Sequence, residues 1–598
     1  MELDNMKTSN LRKFAIISLA AIAIVISAIC VRAEDEGEKP MIIDVTRFGA
    51  VPNDGRNDTP AVQKAILECA KTPGATLVFP KGRYDLHADP KGPGFMFSLN
   101  GIKGLTVDGQ GSEFIYHGIT GIFGLGGCKD IVFRNFTIDF ERPPFSVGTV
   151  TAAEENHFDV RVFDDYPVQG GEPVGAFMDY DPKTNLPAHH GLDEYGSVLS
   201  TELVSTQVLR VNLNHPANIK PGMLAVLRHQ VYSYNAFSMN KCANVRVEDV
   251  LIYTIPGMGM FAGACKDVTL ERFNIMVKPN TNRMMSATAD AVHFSGCTGD
   301  IKIHECTFEG MGDDAANIKS GLFLTIKTLV DDHTVLAAHN LKMPDPPDPG
   351  DRMEFTRQED LQTYASGKVK TVEMLPNDRL HRIAFKEKLP AGLKVGDIIG
   401  NATRTAKIRV SDCTIGNNRA RGMLIQNRDV IVENCLFRNC TSGGVWVLTE
   451  IVYFYESIGS RNVIIRNNTF ENCGYGGPLG EGVLNVYAYL NGFKYPTGPG
   501  VHKKITLENN TIRGADNCGI FVAGADDLTI RGNTIEGVCK DPTHEECRVA
   551  IYIQGSRNVK LTGNTVDPKK QGKGFTAPLT LGPGAERKTI TVKDNIGF

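Results

Sequence analysis

The chain has 598 residues, of which 42% are hydrophobic and 22% are charged, and its formal net charge at pH 7 is -4. It has neither an overall basic excess nor a long run of Lys and Arg, so no nucleic-acid partner is expected. Sixty-one glycines and 30 prolines separate short runs in which apolar and polar residues alternate. This composition predicts an all-β protein rich in turns.

The first 33 residues differ from the rest of the chain. Three basic side chains precede an apolar run over 14–30, and Val31-Arg-Ala33 carries small residues at the positions that an export peptidase recognises. We interpret 1–33 as a signal peptide and predict a protein exported to the periplasm, cell surface or medium of a bacterium. The apolar run is marginal in length for a bilayer, so an uncleaved anchor is the weaker alternative. No transmembrane segment is expected after cleavage.

An N-terminal cap and a first coil are predicted over 34–100. The run MIIDVTRF is typical of a strand, a helix should begin at about Thr59, and a second strand follows from Gly74. This opening resembles the N-terminal cap of exported right-handed β-helix enzymes of the pectin-degrading type. The resemblance implies that it closes the end of a solenoid and takes no part in catalysis.

From 101 to 598 a short unit recurs, as in VRVEDVLI, VTLERFNI and IRVSDCTI. Val250 and Phe273 are 23 residues apart, as are Asn510 and Asn533, and such a period is typical of one coil of a solenoid. We therefore predict a right-handed parallel β-helix. The recurring Asn residues predict an internal ladder of side-chain amides that bond along the stack.

Two stretches break the repeat, at about 141–235 and 322–405. Each holds longer strand-like runs with turns rich in Pro and Asp, so we predict an inserted β subdomain at each place. Long insertions beside a site usually wall it and control access.

Thirteen cysteines would remain after signal cleavage, an odd number that cannot all pair. Cys413 and Cys435 lie in repeat register, so we expect reduced thiols stacked inside the coil as small hydrophobic residues. A disulfide between Cys539 and Cys547 is the alternative. No CxxC pair or His spacing indicates a metal site, and neither a metal nor a cofactor is predicted.

The stretch 287–321 carries the candidate catalytic residues. With an offset of 24 residues Asp290 aligns with Asp314, and Asp313 lies beside Asp314. Because neighbouring strands are ~4.8 Å apart, the three carboxyl groups should meet at one level, where at least one should keep its proton above its usual pKa. Such a cluster suits acid/base chemistry at a glycosidic bond. A turn stack that holds a cation or water is the alternative.

Four further residues are predicted to bind substrate. His293 and Asn317 are register mates close to the acids. Arg421, on the next coil, could bind sugar hydroxyls or tune the carboxylates, or form only a solvated salt bridge. Trp446, the only tryptophan, lies one coil later and could stack on the apolar face of a sugar or simply pack inside.

The run Gly312-Asp-Asp-Ala-Ala-Asn-Ile-Lys-Ser-Gly321, preceded by Ala287-Thr-Ala-Asp290, resembles the polygalacturonase family of β-helix hydrolases. There an Asn-Thr-Asp and a later Gly-Asp-Asp carry inverting hydrolysis. The chain after the signal, including both insertions, more closely resembles glycoside hydrolase family 110, the exported bacterial α-1,3-galactosidases active on blood group B type glycans. This resemblance implies that Asp313 is the general acid and that Asp290 and Asp314 activate water for direct inversion.

Stacked carboxyl groups ~5 Å apart would by themselves be closer to the retaining geometry than to the ~6.5 to 9.5 Å of inverting enzymes. On an extended chain, however, the side chain of Asp313 should point away from that of Asp314. The sequence leaves this distance open.

The same resemblance bears on the substrate. Polygalacturonase-like enzymes follow the acidic pair with Gly-His-Gly and Arg-Ile-Lys, whose cations meet a substrate carboxylate. Here Ala420-Arg-Gly422 and Trp446-Val-Leu448 take those places, so we expect an exo-acting enzyme for a neutral terminal galactose. A hydrolase or lyase of acidic polysaccharide, the lyase with calcium on the carboxylates, and a non-catalytic solenoid adhesin are the competing hypotheses.

Overall fold

The computed structural model describes residues 41–89, 92, 94–341, 345–375, 379–476 and 481–598. The predicted signal peptide, 1–33, lies outside these ranges. No helix within them is both long and apolar enough to cross a membrane.

Two long parallel sheets form the walls of a β-helix, which confirms the predicted fold class. The front sheet, which carries the candidate site, contains these strands of the described chain: Phe95–Asn100, Gly121–Gly126, Phe237–Asn240, Met260–Gly263, Val292–Ser295, Ala316–Lys319, Arg421–Gln426, Gly443–Glu450, Gly482–Tyr489, Cys518–Ala523, Val549–Gln554 and Ala577–Leu581.

The back sheet is also parallel and is formed by the other strands of the successive coils. Its strands within the described ranges are Ile42–Asp44, Ala75–Val78, Arg83–His87, Lys103–His117, Lys129–Phe140, Ala243–Ile252, Lys266–Ile275, Thr298–His304, Thr307–Glu309, Ala406–Ser411, Thr414–Asn418, Arg428–Glu433, Leu436–Cys440, Arg461–Arg466, Thr469–Glu471, His502–Glu508, Thr511–Arg513, Ala525–Arg531, Thr534–Glu536, Arg557–Thr562, Thr565–Val566 and Thr591–Lys593. The helix Thr59–Cys69 packs on the first strands through its buried face.

Both interruptions of the repeat contain antiparallel β structure. The first holds the strands Phe145–Glu154, His157–Val162, Ala176–Asp181, Leu186–Pro187, Asp193–Tyr195, Val198–Ser205, Val208–Leu213 and Leu224–Arg228. The second is a closed barrel of Leu324–Leu329, Thr334–Ala338, Arg352–Thr356, Thr363–Leu375, Leu380–Phe385 and Ile398–Asn401. Each subdomain has an apolar core of its own, so each can stand beside the solenoid without interrupting the stack.

The period of two along each strand explains the solenoid core. In Arg461–Arg466, for example, Val463 and Ile465 are buried, while Asn462 and Ile464 alternate with them on the outer face. Each back-sheet wall then bends at a residue with positive φ, such as Asn467 (55°) or Asn509 (53°). Asn tolerates this left-handed conformation better than most residues, which accounts for its recurrence at the bends.

One internal column runs along the stack directly after these bends. It holds Cys306, Cys413 and Cys435 in three successive coils, and then amides in the coils that follow, namely Asn468, Asn510, Asn533, Asn564 and Asn595. Each amide nitrogen donates to the next amide oxygen at 2.9–3.1 Å. The predicted ladder is therefore confirmed. Every cysteine of the described ranges is buried and free, including the pair considered for a disulfide.

Candidate active site

The three aspartates lie in turns that lead into neighbouring front-sheet strands. Asp290 precedes Val292–Ser295, and Asp313 and Asp314 precede Ala316–Lys319. The strands pair in register 24 residues apart, and the amide of Ala291 donates to the carbonyl oxygen of Asp314 at 3.0 Å. One carboxylate oxygen from each aspartate lies within 4.8 Å of the others. The offset read from the sequence thus brings the three groups together.

Asp314 is held by Arg421 of the next coil. The guanidinium donates to Asp314 Oδ2 at 2.6 Å, and the amide nitrogen of Arg421 donates to Oδ1 at 3.0 Å. The Asp314 side chain is only 2% exposed. Of the roles considered for Arg421, the structure supports tuning a carboxylate, and both Asp314 oxygens are engaged by one residue.

Asp313 lies with Asp314 in a bend rather than on an extended strand, so their side chains do not point apart as expected, although Asp313 has a different set of partners. Arg419 donates to Asp313 Oδ1 at 2.7 Å, and the hydroxyl of Tyr232 donates to Oδ2. At 15% exposure Asp313 is the most accessible of the three side chains, against 5% for Asp290. Asp313 therefore lies on the open side of the cluster, toward the first insertion.

A buried network from the first insertion supports this cluster, and sequence reasoning missed it. Arg228, whose side chain is 0% exposed, pairs with Asp193 at 2.7 Å, and Asp193 also pairs with Arg419. A second nitrogen of Arg228 donates to the carbonyl oxygens of Thr288 and Gly312 at 3.3 and 3.2 Å. These two carbonyls belong to the turns that carry the acids. Arg228 thus ties both turns together.

Burial and charge divide the protons unequally among the aspartates. Burial and the charge of Asp313 raise the pKa of Asp290 well above its ordinary value. Burial also raises the pKa of Asp314 to about 7, although Arg421 opposes this. Burial acts in the same direction on Asp313, but Arg419 and Arg421 outweigh it and lower its pKa. Near neutral pH the free site therefore keeps the negative charge on Asp313 and a proton on Asp290 or Asp314.

His293 and Asn317 are register mates beside the acids, as the offset predicts. His293 Nδ1 lies 2.9 Å from Asp290 Oδ2, and burial together with Lys319 lowers the pKa of His293 to about 3. His293 Nε2 and Asn317 Oδ1 are buried without a protein hydrogen-bond partner in the described chain. An unsatisfied buried polar group costs ~1–3 kcal/mol, so each atom would gain from a bound water molecule or hydroxyl beside the acids.

Trp446 does not lie where a sugar could stack. It is 1% exposed, the guanidinium carbon of Arg421 lies 5.2 Å from its ring centroid, and Tyr487 packs on it at 5.7 Å. Of the two alternatives considered, Trp446 therefore packs inside and supports Arg421 from below. The physical reason is that outward-facing residues of this sheet are covered by neighbouring aromatic side chains.

The aspartate cluster is a poor fit for a metal ion. Calcium takes 6–8 oxygen ligands, whereas Arg419 and Arg421 already occupy oxygens of Asp313 and Asp314 at 2.7 and 2.6 Å. Guanidinium groups so close to the oxygens would repel a second cation. The donor set suits proton transfer better than cation binding.

Three family models match parts of the chain. A model described as right handed beta helix region covers residues 397–535, and one described as GLAA-B beta-barrel domain II covers 345–399. A third, the periplasmic copper-binding protein NosD, covers 499–578. The second match falls on the inserted barrel.

Curated relatives share most of the chain. An alpha-1,3-galactosidase B of Bacteroides thetaiotaomicron is 29% identical over 601 residues, covering 89% of this chain and 92% of the relative. An alpha-1,3-galactosidase B of Bacteroides fragilis is 30% identical over 470 residues, covering 70% of this chain and 77% of the relative. Among solved structures, a Family 28 exopolygalacturonase of Yersinia enterocolitica covers 93% of this chain and is itself covered to 78%, with a TM-score of 0.43 at 13% identity.

Proposed function

Because the chain belongs to the α-1,3-galactosidase family, and is therefore a glycoside hydrolase, we propose that it removes a terminal α-1,3-linked galactose from glycans with inversion at the anomeric carbon. The observation that carries this proposal is the cluster of Asp290, Asp313 and Asp314, with oxygens within 4.8 Å of one another. One of these groups protonates the leaving oxygen while the others activate a water molecule.

Two features favour attack by water over attack by an aspartate. Both Asp314 oxygens accept hydrogen bonds from Arg421, and Asp290 Oδ2 faces His293. At 2% and 5% exposure both side chains are too enclosed for an anomeric carbon to approach, whereas a water molecule is small enough to bond to them. The short separation alone is closer to the ~5–5.5 Å of retaining enzymes, so the anomeric product is the decisive measurement.

Asp313 takes the role of general acid. It is the most exposed carboxyl group of the cluster, as a residue that reaches the leaving oxygen must be, and the family resemblance gives it this role. In the free site its proton resides on Asp290 or Asp314, so the productive form has one proton moved within the cluster. The two forms carry the same number of protons, and their pH dependence belongs to the cluster as a whole.

The balance of charges supports a neutral substrate. Among the described residues four cations surround the acids, and each has a carboxylate partner: Arg228 with Asp193, Arg419 with Asp193 and Asp313, Arg421 with Asp314, and Lys319 with Glu456. A uronate would have to break one of these pairs or remain unpaired in a buried site, which is costly. A terminal galactose needs only hydrogen bonds, which His293 Nε2 and Asn317 Oδ1 can provide.

The predicted signal peptide supports an exported enzyme that meets host-type glycans, including the blood group B determinant and linear α-1,3-galactosides. The test incubates purified protein with the B trisaccharide, α-1,3-galactobiose and polygalacturonate. We expect free galactose from the first two, initially as the β anomer by proton NMR, and no cleavage of polygalacturonate. Initial α anomer would contradict inversion, and release of galacturonate oligomers would contradict the substrate class.

A further inference from the structure

Two adjacent histidines of the first insertion meet two aspartates of the later coils. His189 Nε2 lies 2.7 Å from Asp516 Oδ2, and His190 Nε2 lies 3.3 Å from Asp541 Oδ2. One donor atom from each of His189, His190 and Asp516 lies within 4.8 Å of the other two. None of these residues has a part in the chemistry proposed above. The partners are more than 300 positions apart in the chain, which explains why no sequence spacing indicated the cluster.

The backbone turns both rings to the same side. Neighbouring side chains of an extended strand point in opposite directions, but His190 has φ = 51°, and the two ring centroids are 4.1 Å apart. The loop lies directly on a solenoid turn, because a Cβ atom at Gly476 would come within 2.3 Å of the His190 amide nitrogen. The histidines are thus held against the later coils.

We propose that His189, His190 and Asp516 bind one Zn²⁺ ion, with Asp541 as the fourth ligand. Imidazole and carboxylate are common zinc ligands, and tetrahedral bonds of ~2.0–2.1 Å place donor atoms roughly 3.3 Å apart. The two His–Asp pairs already span 2.7 and 3.3 Å, and the donor atoms of the first three residues lie within 4.8 Å. Side-chain rotations would bring this trio to tetrahedral spacing, and Asp541 would join it from its place beside His190. Both imidazoles are half-exposed, at 52% and 44%, which gives the ion a path of entry.

The ion would fasten the first insertion to the solenoid close to the acids. The loop from Pro187 continues to Asp193, which bridges Arg228 and Arg419. Zinc at this place would fix the loop in the position that supports the cluster, without taking part in hydrolysis. The inference does not depend on which sugar the enzyme releases.

The experiment uses purified protein without a polyhistidine tag, stripped with chelator and then titrated with ZnCl₂. We expect bound zinc close to one ion per chain by elemental analysis after gel filtration, and a higher midpoint of thermal unfolding. Amide hydrogen exchange over 186–195 should slow on zinc addition. His189→Gln keeps a hydrogen-bond donor for Asp516 but removes the imidazole ligand, and should weaken zinc binding at least ~tenfold. His215→Ala, a half-exposed histidine of the same insertion, is the matched control and should bind zinc like wild type.

Zinc binding by His189→Gln that equals wild type would overturn the proposal. So would wild type that binds no more zinc than a His189→Ala/His190→Ala double variant. In either case the His–Asp pairs are hydrogen bonds alone. Unchanged exchange in the 186–195 loop on zinc addition would refute the fastening role.

Discussion

Replacement of Asp313 by Asn tests the assigned proton donor most directly. The amide that replaces the carboxyl group cannot protonate the leaving oxygen, so kcat/KM for α-1,3-linked galactosides should fall ~100- to 10,000-fold, the usual contribution of general acid catalysis. The fold should persist, because Arg419 keeps Asp193 as a second carboxylate partner and no buried cation is left alone.

Asp314→Asn provides the structural contrast. Arg421 donates to both oxygens of Asp314, whereas an Asn amide offers only one acceptor oxygen, so at least one of these bonds is lost at a cost of ~1–3 kcal/mol. This variant should lose activity and also unfold at a lower temperature. Asp313→Asn should keep a midpoint close to that of wild type.

The decisive assay compares a natural linkage with α-galactosyl fluoride, whose leaving group needs no proton. Asp313→Asn should hydrolyse the fluoride within about tenfold of the wild-type rate while remaining ~100-fold or more impaired on α-1,3-galactobiose. Asp290→Asn and Asp314→Asn should be impaired on both substrates, because water activation is needed for each. If Asp314→Asn retained the fluoride activity and Asp313→Asn did not, the roles would be reversed and the reasoning from exposure refuted.

Three further outcomes follow from the site, and a fourth concerns metal removal. The kcat/KM for α-1,3-galactobiose should decline on the alkaline side of neutrality, where the cluster loses the protons that Asp290 and Asp314 hold with raised pKa values; a rate that does not fall at any alkaline pH at which the enzyme stays folded would contradict this. The raised pKa of Asp314 also means that the folded state binds this proton more tightly than the unfolded state. The stability that Asp314 contributes is therefore full at low pH and declines as pH rises from its ordinary pKa of 3.8 to about 7. Urea unfolding of Asp314→Asn should lack this decline. Arg228→Met removes the bonds to both turns that carry the acids. Because hydrogen bonds from a charged group are worth ~1.5–3 kcal/mol, this variant should hydrolyse both the fluoride and the disaccharide ~10-fold or more slowly. A loss on the disaccharide alone would show that the turns had not moved. Chelator-treated enzyme assayed well below its unfolding temperature should lose no more turnover than zinc at the His189 cluster restores, and loss that calcium restores would place a metal in the chemistry.

The repeat made the centre of the site predictable. Asp290 and Asp314 lie on adjacent coils with no insertion between their strands, so a 24-residue offset was enough to pair them. Arg421 was also placed in their column, although the barrel separates it from Asp314 by more than 100 residues in the chain. Since coils stack in sequence order, an excursion between two coils does not change which strands become neighbours.

The rest of the site lies beyond what a period can specify. Arg228, Asp193 and Tyr232 belong to the first insertion, where no repeat fixes one residue relative to another. Trp446 could either stack on a sugar or pack inside, and alternation along a strand cannot show that Arg421 and Tyr487 cover its ring. Depth below the surface depends on contacts between coils and subdomains, which local pattern does not record.

The internal column changes character along the solenoid, and this has a consequence for how the molecule can vary. In the later coils each Asn amide both donates to the next coil and accepts from the previous one, so an added coil with its own Asn would repeat the same bonds on both sides. In the coils around the acids the column holds thiols, whose contacts are weak and without strong direction. The number of coils can therefore change at the C-terminal end of the solenoid. The coils that carry Asp290, Asp314 and Arg421 must keep their order and number, because each supplies one of the charged side chains that pair at the site.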